Sequence, residues 1–205
     1  MKDKLLIIGA SGHGKVVADI ALKMNKWKSI AFLDDDNSIK ACMKLEVIGK
    51  TEDILKYKEE YDFFVAIGKN ETREKIQEKL ERNGYSLVSL THPNAVIAAN
   101  VKIGIGTVIM AGVVVNSSTQ IGKGCIINTS CSLDHDNIIE DYVHISPGAN
   151  IAGTVKIGKK NWIGIGSVIT NNVNICSGCV IGAGAVVIKD ITEPGKYVGV
   201  PVRGV

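Results

Sequence analysis

The stretch IGIGTVIMAGVVVNSSTQIGKGCIINTS, residues 103–130, decides the fold because an aliphatic residue recurs in it at every sixth position. Counting by six from Ile97 to Val187 gives sixteen positions in one register, and all of them are aliphatic. Neither an α-helix nor an alternating strand has this period, and self-similarity of this kind is typical of a solenoid whose repeats bury their apolar residues against one another. The pattern predicts a left-handed parallel β-helix without a long loop between residues 95 and 190.

The first ninety residues follow a different pattern, in which strands alternate with helices. KLLIIGASGHGKVVADIALKM indicates a buried strand, a glycine turn and a helix, while SIAFLDDD and YDFFVAIGKN indicate two further strands. TEDILKYKEE and ETREKIQEKLERNG each predict a helix, the second ending at Gly84. Such alternation favours a parallel sheet, so we predict an α/β, Rossmann-like domain over residues 1–90 and the β-helix over residues 91–205, joined around Pro93.

Charge and hydropathy exclude several classes of function. The chain has 24 basic and 21 acidic residues without a basic cluster, which does not favour binding to nucleic acid or to a membrane surface. The apolar run near the first residue is too short for a signal peptide, and no run approaches the roughly 18 residues of a membrane span. We therefore expect a cytoplasmic protein. Of the five cysteines, Cys125 and Cys131 occupy equivalent repeat positions and Cys176 and Cys179 form a lone C-x-x-C, so we expect inert thiols.

The segment GASGHGK, residues 9–15, follows a strand and opens a helix, which lets backbone N–H groups approach a phosphate. Val16 stands where a nucleotide hydrolase needs a hydroxyl for magnesium, so an ATPase is not predicted. Asp34 and Asp35 close the second strand and Gly68 closes the third, beside the same crevice, where an acid commonly accepts hydrogen bonds from a ribose. These residues of the N-terminal domain predict a nucleotide or nucleotide-sugar site. The alternative is that the glycines only form a tight turn and the aspartates only cap a loop.

A cluster of histidines and acids lies within the repeat in SLDHDNIIEDYVHISPG, residues 132–148. His135 comes two residues after the inward Leu133 and is therefore expected at the outer surface, flanked by Asp134 and Asp136. Three hexads make one coil of eighteen residues, so Gly153 should stack on His135 about one strand spacing away. A base facing a backbone N–H frames an acyl-transfer site, and a carboxylate on the far ring nitrogen would fix the tautomer.

A metal site is the alternative that His144 suggests, as in the left-handed β-helix carbonic anhydrases, which this repeat resembles. Those enzymes need three histidine ligands. Beyond His135 and His144, only His92 lies near the coil, before its first hexad. We therefore predict no metal.

The motifs IIGASGHG, FLDD, FFVAIG, INTSCSLDHD, HISPGANIAGTVKIG and YVGVPV together resemble the nucleotide-sugar acetyltransferases of bacterial surface-glycan synthesis, most closely the UDP-4-amino-sugar N-acetyltransferases. Sialic acid O-acetyltransferases and perosamine N-acetyltransferases are also similar. The resemblance covers nearly the whole chain. It implies acetyl transfer from acetyl-CoA, as co-substrate and with no bound cofactor, to the 4-amino group of a UDP-linked deoxysugar, in a homotrimer with active sites between adjacent coils. O-acetylation of sialic acid or another sugar, and a non-catalytic nucleotide-sugar scaffold, are the alternatives.

The same resemblance implies roles for individual residues. His135 matches the catalytic base and Asp136 the acid that raises its basicity. The positions that match nucleotide-sugar contacts are Ser11, Gly12, His13, Asp34, Asp35 and Gly68, with Asn128 beside the reacting sugar. The positions that match the acetyl-CoA groove are His144, Gly153, Ile165 and Ala183. Asp136 is one methylene shorter than the glutamate of the closest relatives, which leaves Asp134 as an alternative partner for His135, and Ala183 replaces a glycine.

Overall fold

The computed structural model describes residues 2–205, which form two compact units, one ending at Pro93 and the other running from Asn94 to Val205. The first is an α/β unit and the second is built from two-residue strands. No helix among residues 2–205 is long and apolar enough to cross a membrane.

The α/β unit is built around a five-stranded sheet. Its elements are β1 (Lys4–Ile8), α1 (Gly12–Met24), β2 (Ser29–Leu33), β3 (Ala41–Cys42), β4 (Leu45–Gly49), a 3-10 helix (Thr51–Tyr57), β5 (Tyr61–Val65), α2 (Asn70–Arg82) and the two-residue β6 (Leu90–Thr91). The strand order is β3-β4-β2-β1-β5, and β1 pairs in parallel with both β2 and β5. The predicted strands and the parallel core are therefore confirmed, and the carboxyl ends of β1, β2 and β5 share one edge.

Two local features of this unit differ from the sequence analysis, one that was not predicted and one that was predicted wrongly. Residues 41–49 form an antiparallel hairpin of β3 and β4, whose turn residues Met43 and Lys44 both have positive φ, 52° and 64°. Such turns normally carry Asn-Gly or Asp-Gly, so residues 43 and 44 show no signal for a hairpin. The segment TEDILKYKEE forms a seven-residue 3-10 helix, not an α-helix. Only Ile54 of that helix is buried, so the segment lacks the apolar stripe that stabilises a longer helix.

The second unit is a parallel β-helix whose strands repeat every six residues. Its strands are β7 (Val96–Ile97), β8 (Lys102–Ile103), β9 (Val108–Ile109), β10 (Val114–Val115), β11 (Gln120–Ile121), β12 (Ile126–Ile127), β13 (Ser132–Leu133), β14 (Ile138–Ile139), β15 (His144–Ile145), β16 (Asn150–Ile151), β17 (Lys156–Ile157), β18 (Trp162–Ile163), β19 (Val168–Ile169), β20 (Asn174–Ile175), β21 (Val180–Ile181), β22 (Val186–Val187), β23 (Lys196–Val198) and β24 (Arg203–Gly204). No register shift interrupts the repeat between β7 and β22, as predicted.

Strands stack in three sheets, which we call faces 1, 2 and 3. Face 1 contains β7, β10, β13, β16, β19 and β22, face 2 contains β8, β11, β14, β17 and β20, and face 3 contains β9, β12, β15, β18 and β21, extended by β23 and β24. From β7 to β22, partners in a face are eighteen residues apart, as in Val115, Leu133 and Ile151. Hence each coil has three hexads, and residues eighteen apart occupy the same corner of successive coils.

The inward residues of the repeat form the core of the β-helix. All sixteen are buried except Ile97 and Ile103, which are half-buried in the first coil. The glycine that often follows them has a steric cause at Gly164, where a Cβ would lie 2.5 Å from the carbonyl oxygen of Ile181 in the next coil. The close spacing of adjacent coils therefore selects glycine at this position.

The five cysteines are free thiols. Burial raises the pKa of Cys131 to about 12 and that of Cys179 to about 11. The sulfur atoms of Cys176 and Cys179 lie 3.6 Å apart, within hydrogen-bonding distance, and form no disulfide.

Candidate functional site

His135 lies at the corner between faces 1 and 2, with its ring held by Asp136. The ring nitrogen Nδ1 is 2.8 Å from Oδ2 of Asp136. Asp136 has φ of +58°, and the equivalent corner residues of neighbouring coils, Ser118 and Thr154, have +63° and +60°. The left-handed backbone that these corners share thus turns the Asp136 carboxylate onto the imidazole. Although aspartate is one methylene shorter than glutamate, its carboxylate reaches the ring.

Asp134 supports the backbone of the same corner. Its Oδ1 accepts hydrogen bonds from the backbone N–H of His135 at 2.9 Å and from the side-chain amide of Asn116 at 2.8 Å. Beneath the corner, the buried side chain of Asn137 donates to the carbonyl of Asp134 and accepts from the N–H of Val155. Of the two acids flanking His135, Asp136 therefore contacts the ring and Asp134 contacts the backbone.

Both acids strengthen His135 as a base. The hydrogen bond that the His135 ring donates to Asp136, and then the charge of Asp134, raise the pKa of His135 above its ordinary value of 6.5. The hydrogen bonds from Asn116 and from the His135 N–H hold the pKa of Asp134 below its ordinary value. In the neutral imidazole, Nδ1 donates its proton to Asp136, so the lone pair is on Nε2. Nε2 is the atom that can accept a proton.

Gly153 lies against the free edge of the His135 ring. A Cβ built on Gly153 would come within 2.7 Å of both Nε2 and Cε1, and the N–H of Thr154 donates to the carbonyl of His135 at 3.0 Å. Within residues 2–205 the N–H of Gly153 donates to no backbone carbonyl. The coil therefore brings the predicted base and the predicted oxyanion donor together, with space that only glycine leaves.

A second polar cluster lies on face 3 and contains His144 and Asn128. His144 is buried, its Nε2 is 3.2 Å from Nδ2 of Asn128, and its ring stacks on Trp162 with centroids 4.9 Å apart. The indole N–H of Trp162 donates to Oγ of Ser146 at 2.9 Å. Because the Asn128 amide group is a donor, Nε2 of His144 acts as the acceptor and the neutral ring carries its proton on Nδ1. Trp162 lies eighteen residues after His144, in the next coil, and this spacing is the signal by which the sequence could have identified it.

Ile165 and Ala183 lie at the corner between faces 3 and 1. They are eighteen residues apart, the N–H of Gly184 donates to the carbonyl of Ile165 at 2.8 Å, and both side chains are exposed. His144, Ile165 and Ala183 thus share one side of the β-helix. His135 and Gly153 occupy the next corner, on the other side of face 1, so one chain does not bring all the predicted acetyl-CoA positions together.

In the α/β unit, the predicted nucleotide positions lie at the carboxyl edge of the sheet. The N–H of Ala10 donates to Oδ2 of Asp34 at 2.7 Å, and Oδ1 of Asp34 accepts from the N–H of Asp36. Oδ1 of Asp35 accepts from the N–H of Thr51 at 2.9 Å. Both aspartates therefore brace the loops around the crevice, as the alternative interpretation expected, and Asp34 ties the glycine turn to the end of β2.

The glycines of this edge serve two different purposes. Gly14 has no room for a Cβ because the carbonyl oxygen of Gly9 lies directly against it, and Gly9 has φ of +104°. A Cβ on Gly12 or Gly68 would meet nothing within 4 Å. Ser11 is the N-cap residue of α1, yet its side chain makes no capping hydrogen bond. Gly9 and Gly14 are thus needed for packing, while Ser11, Gly12 and Gly68 face open space.

His13 and Arg73 add electrostatic features to this edge. Burial, and then the positive charge of Arg73, lower the pKa of His13 to about 4, so its imidazole is neutral at physiological pH. Nε2 of His13 is buried and has no hydrogen-bond partner among residues 2–205. The buried guanidinium of Arg73 donates to the carbonyls of Ile67 and Gly68, each at 3.0 Å. Arg73 was missed in the sequence because an arginine in an amphipathic helix is expected to be exposed.

No group of three or more histidine, cysteine, aspartate or glutamate side chains is arranged to hold a metal ion anywhere in residues 2–205. The groups that the corner presents are the His135 imidazole, the Asp136 carboxylate and the backbone N–H of Gly153.

Two parts of the chain match family models, and several known proteins are similar to it. Residues 4–80 match the model of the PglD N-terminal domain, and residues 154–189 match that of the bacterial transferase hexapeptide (six repeats). GDP-perosamine N-acetyltransferase of Escherichia coli O157:H7 is 32% identical over 174 residues, 82% of this chain and 78% of that protein. UDP-N-acetylbacillosamine N-acetyltransferase of Bacillus subtilis is 32% identical over 106 residues, 50% of this chain and 49% of that protein. The acetyltransferase domain of PglB from Neisseria gonorrhoeae, solved in complex with acetyl coenzyme A, is 37% identical with full coverage of both chains and a TM-score of 0.97.

Proposed function

Because the chain belongs to the family of bacterial nucleotide-sugar N-acetyltransferases, we propose that it transfers acetyl from acetyl-CoA to the 4-amino group of a UDP-linked amino-deoxysugar, with His135 as the general base. The observation that carries the proposal is the corner in which Asp136 holds Nδ1 of His135 while Nε2 faces Gly153. Relatives that act on nucleotide-linked amino sugars support the acceptor class.

The reaction follows from the roles of these groups. The acceptor amine attacks the thioester carbonyl, and its proton passes to Nε2 of His135. The resulting imidazolium is stabilised by the Asp136 carboxylate, 2.8 Å from Nδ1. The N–H of Gly153 stabilises the negative charge that develops on the carbonyl oxygen. When the intermediate collapses, the carbon–sulfur bond breaks, the amide remains on the sugar, and the CoA thiolate takes up a proton from His135.

The α/β unit supplies a holder for the nucleotide in this proposal. The N-terminus of α1 presents backbone N–H groups beside the open position of Gly12, which suits a diphosphate. The neutral imidazole of His13, whose Nε2 has no hydrogen-bond partner among the described residues, adds a polar group there. We assign Ser11, Gly68, Asp34 and Asp35 to the same ligand.

The arrangement of the corners supports active sites that are shared between copies of the chain, and we propose the homotrimer that the family resemblance implies. His135 and the acetyl-CoA positions Ile165 and Ala183 lie at opposite edges of face 1, so a second copy is needed to bring the two sets together. Faces 1 and 3 also expose apolar side chains, among them Val114, Trp162, Val168 and Val180, at 37–41%. Face 2 presents mainly lysine, glutamine and asparagine at the corresponding positions. Size-exclusion chromatography with light scattering would measure the subunit number, and a monomer would contradict this arrangement.

A thiol-release assay tests the function directly. Purified protein is mixed with acetyl-CoA and, in separate reactions, a UDP-linked 4-amino-sugar, its GDP-linked counterpart and free sialic acid. We expect the fastest release of CoA with the UDP-linked amine. Release with the GDP-linked amine alone would transfer the assignment to that nucleotide. Release with sialic acid alone would establish a hydroxyl acceptor, and no release with any acceptor would contradict an acetyltransferase function.

A further inference from the structure

We infer that Asn116 is a positioning residue for His135, acting through the Asp134 carboxylate from the preceding coil. The inference rests on the proposed function, because it assigns His135 the role of base. It adds to the site a residue that lies nineteen positions before His135 in the sequence.

The geometry is a relay of two hydrogen bonds across two coils. Asn116 is exposed at the edge of face 1, and its side-chain amide donates to Oδ1 of Asp134 at 2.8 Å. The same oxygen accepts from the backbone N–H of His135 at 2.9 Å. Oδ1 of Asp134 is therefore shared between the Asn116 side-chain amide and the His135 backbone N–H. These two hydrogen bonds hold the Asp134 carboxylate at a fixed distance from the His135 ring.

The relay has a clear electrostatic consequence. Asp136 and Asp134 are the charged groups that raise the pKa of His135. The coil on one side presents Gly153 and Thr154 to this corner, and the coil on the other side presents Ser117, none of which titrates near neutral pH. Asp136 is held by its direct bond to the ring, so Asp134 is the acid whose contribution depends on a third residue. That residue is Asn116.

Removing the amide should release the Asp134 carboxylate toward solvent. In Asn116→Ala we expect a lower pKa of His135 and a kcat reduced by about 3- to 10-fold. This is less than the roughly 10-fold or more that a direct hydrogen bond to a charged group contributes, because Asn116 acts on the base only through Asp134. Because Asn116 is exposed, the fold should persist, which thermal unfolding would verify. The pKa is measured by NMR titration of the labelled histidine rings, with the His135 signal assigned from its loss in His135→Ala. This readout does not depend on any enzymatic activity.

A double-mutant cycle distinguishes positioning from a general structural effect. If Asn116 acts through Asp134, then Asp134→Asn should lower the His135 pKa further than Asn116→Ala, and the double variant should match Asp134→Asn alone. Asn150→Ala is the matched control, since this amide on the same face bonds to Ser132 and to the carbonyl of Gly148 but not to Asp134. It should leave the titration unchanged.

The possible outcomes distinguish the role of Asn116 from the proposed acetyltransferase function. An unchanged His135 titration in Asn116→Ala, or shifts that add in the double variant, would overturn the role of Asn116 whatever the enzyme does. Absence of acetyl transfer by the wild-type protein would refute the proposed function, while the titration would still decide whether Asn116 positions Asp134.

Discussion

Replacing Gly153 by alanine tests whether the position of the His135 ring controls the chemistry. The new Cβ would lie 2.7 Å from Nε2 and Cε1, whereas ordinary contact begins at 3.4 Å, so the ring has to retreat by about 0.7 Å. Misplacing a catalytic group by about 1 Å costs on the order of 100-fold in rate. We therefore expect kcat to fall by about 10- to 100-fold, measured as thiol release with both substrates saturating.

The fold should tolerate this change. The clash involves the end of an imidazole whose side chain is 51% exposed, so the ring can rotate away without displacing backbone. Gly164→Ala offers the contrast, because its Cβ would meet the backbone of the next coil at 2.5 Å and should lower the melting temperature. In a His135→Ala background, Gly153→Ala should cause little further loss of kcat. A folded Gly153→Ala protein with wild-type kcat would refute the assigned position of the reacting atoms.

Three further results are expected. His135→Ala should lose about 100-fold or more in kcat if general base catalysis makes its usual contribution, while both ligands still bind in calorimetry. Because the protonated imidazole cannot accept a proton, kcat/KM should fall as the pH drops through the raised pKa of His135, and Asp136→Ala should move this limb to lower pH with a smaller loss of kcat than His135→Ala. Replacing Gly12 by leucine, or Asp34 by alanine, should raise KM for the nucleotide-sugar. The KM for acetyl-CoA and the subunit number should stay nearly unchanged. An equal rise in the KM for acetyl-CoA would show that the α/β unit does not bind the nucleotide-sugar separately.

Several features of the site were readable in the sequence because they depend on spacing. Counting eighteen residues from His135 identified Gly153, since successive coils place such residues at one corner. The hairpin over residues 41–49 was missed because Met43 and Lys44 carry no turn signal, and the seven-residue 3-10 helix was mistaken for an α-helix. Arg73 was missed because its contacts with the carbonyls of Ile67 and Gly68 are formed by a loop that follows no repeat. Trp162 was missed although it lies eighteen residues after His144, so that the count that identified Gly153 could also have identified it.

The sequence by itself determined the hexapeptide β-helix, the parallel α/β sheet and the position of His135 beside two acids, because a fixed period dictates which side chains point inward and which residues stack. Only the tertiary structure decided which acid does what. Asp134 and Asp136 are the same residue type and flank His135 on either side. The left-handed backbone at Asp136 turns its carboxylate onto the ring, while the Asp134 carboxylate faces the N–H of His135 and the amide of Asn116. Likewise, GASGHGK shows three glycines, and only the packing distinguishes Gly9 and Gly14, which lack space for a Cβ, from Gly12, which faces open space. Such distinctions arise from distances between atoms on different strands and coils, and these distances are set when the chain packs.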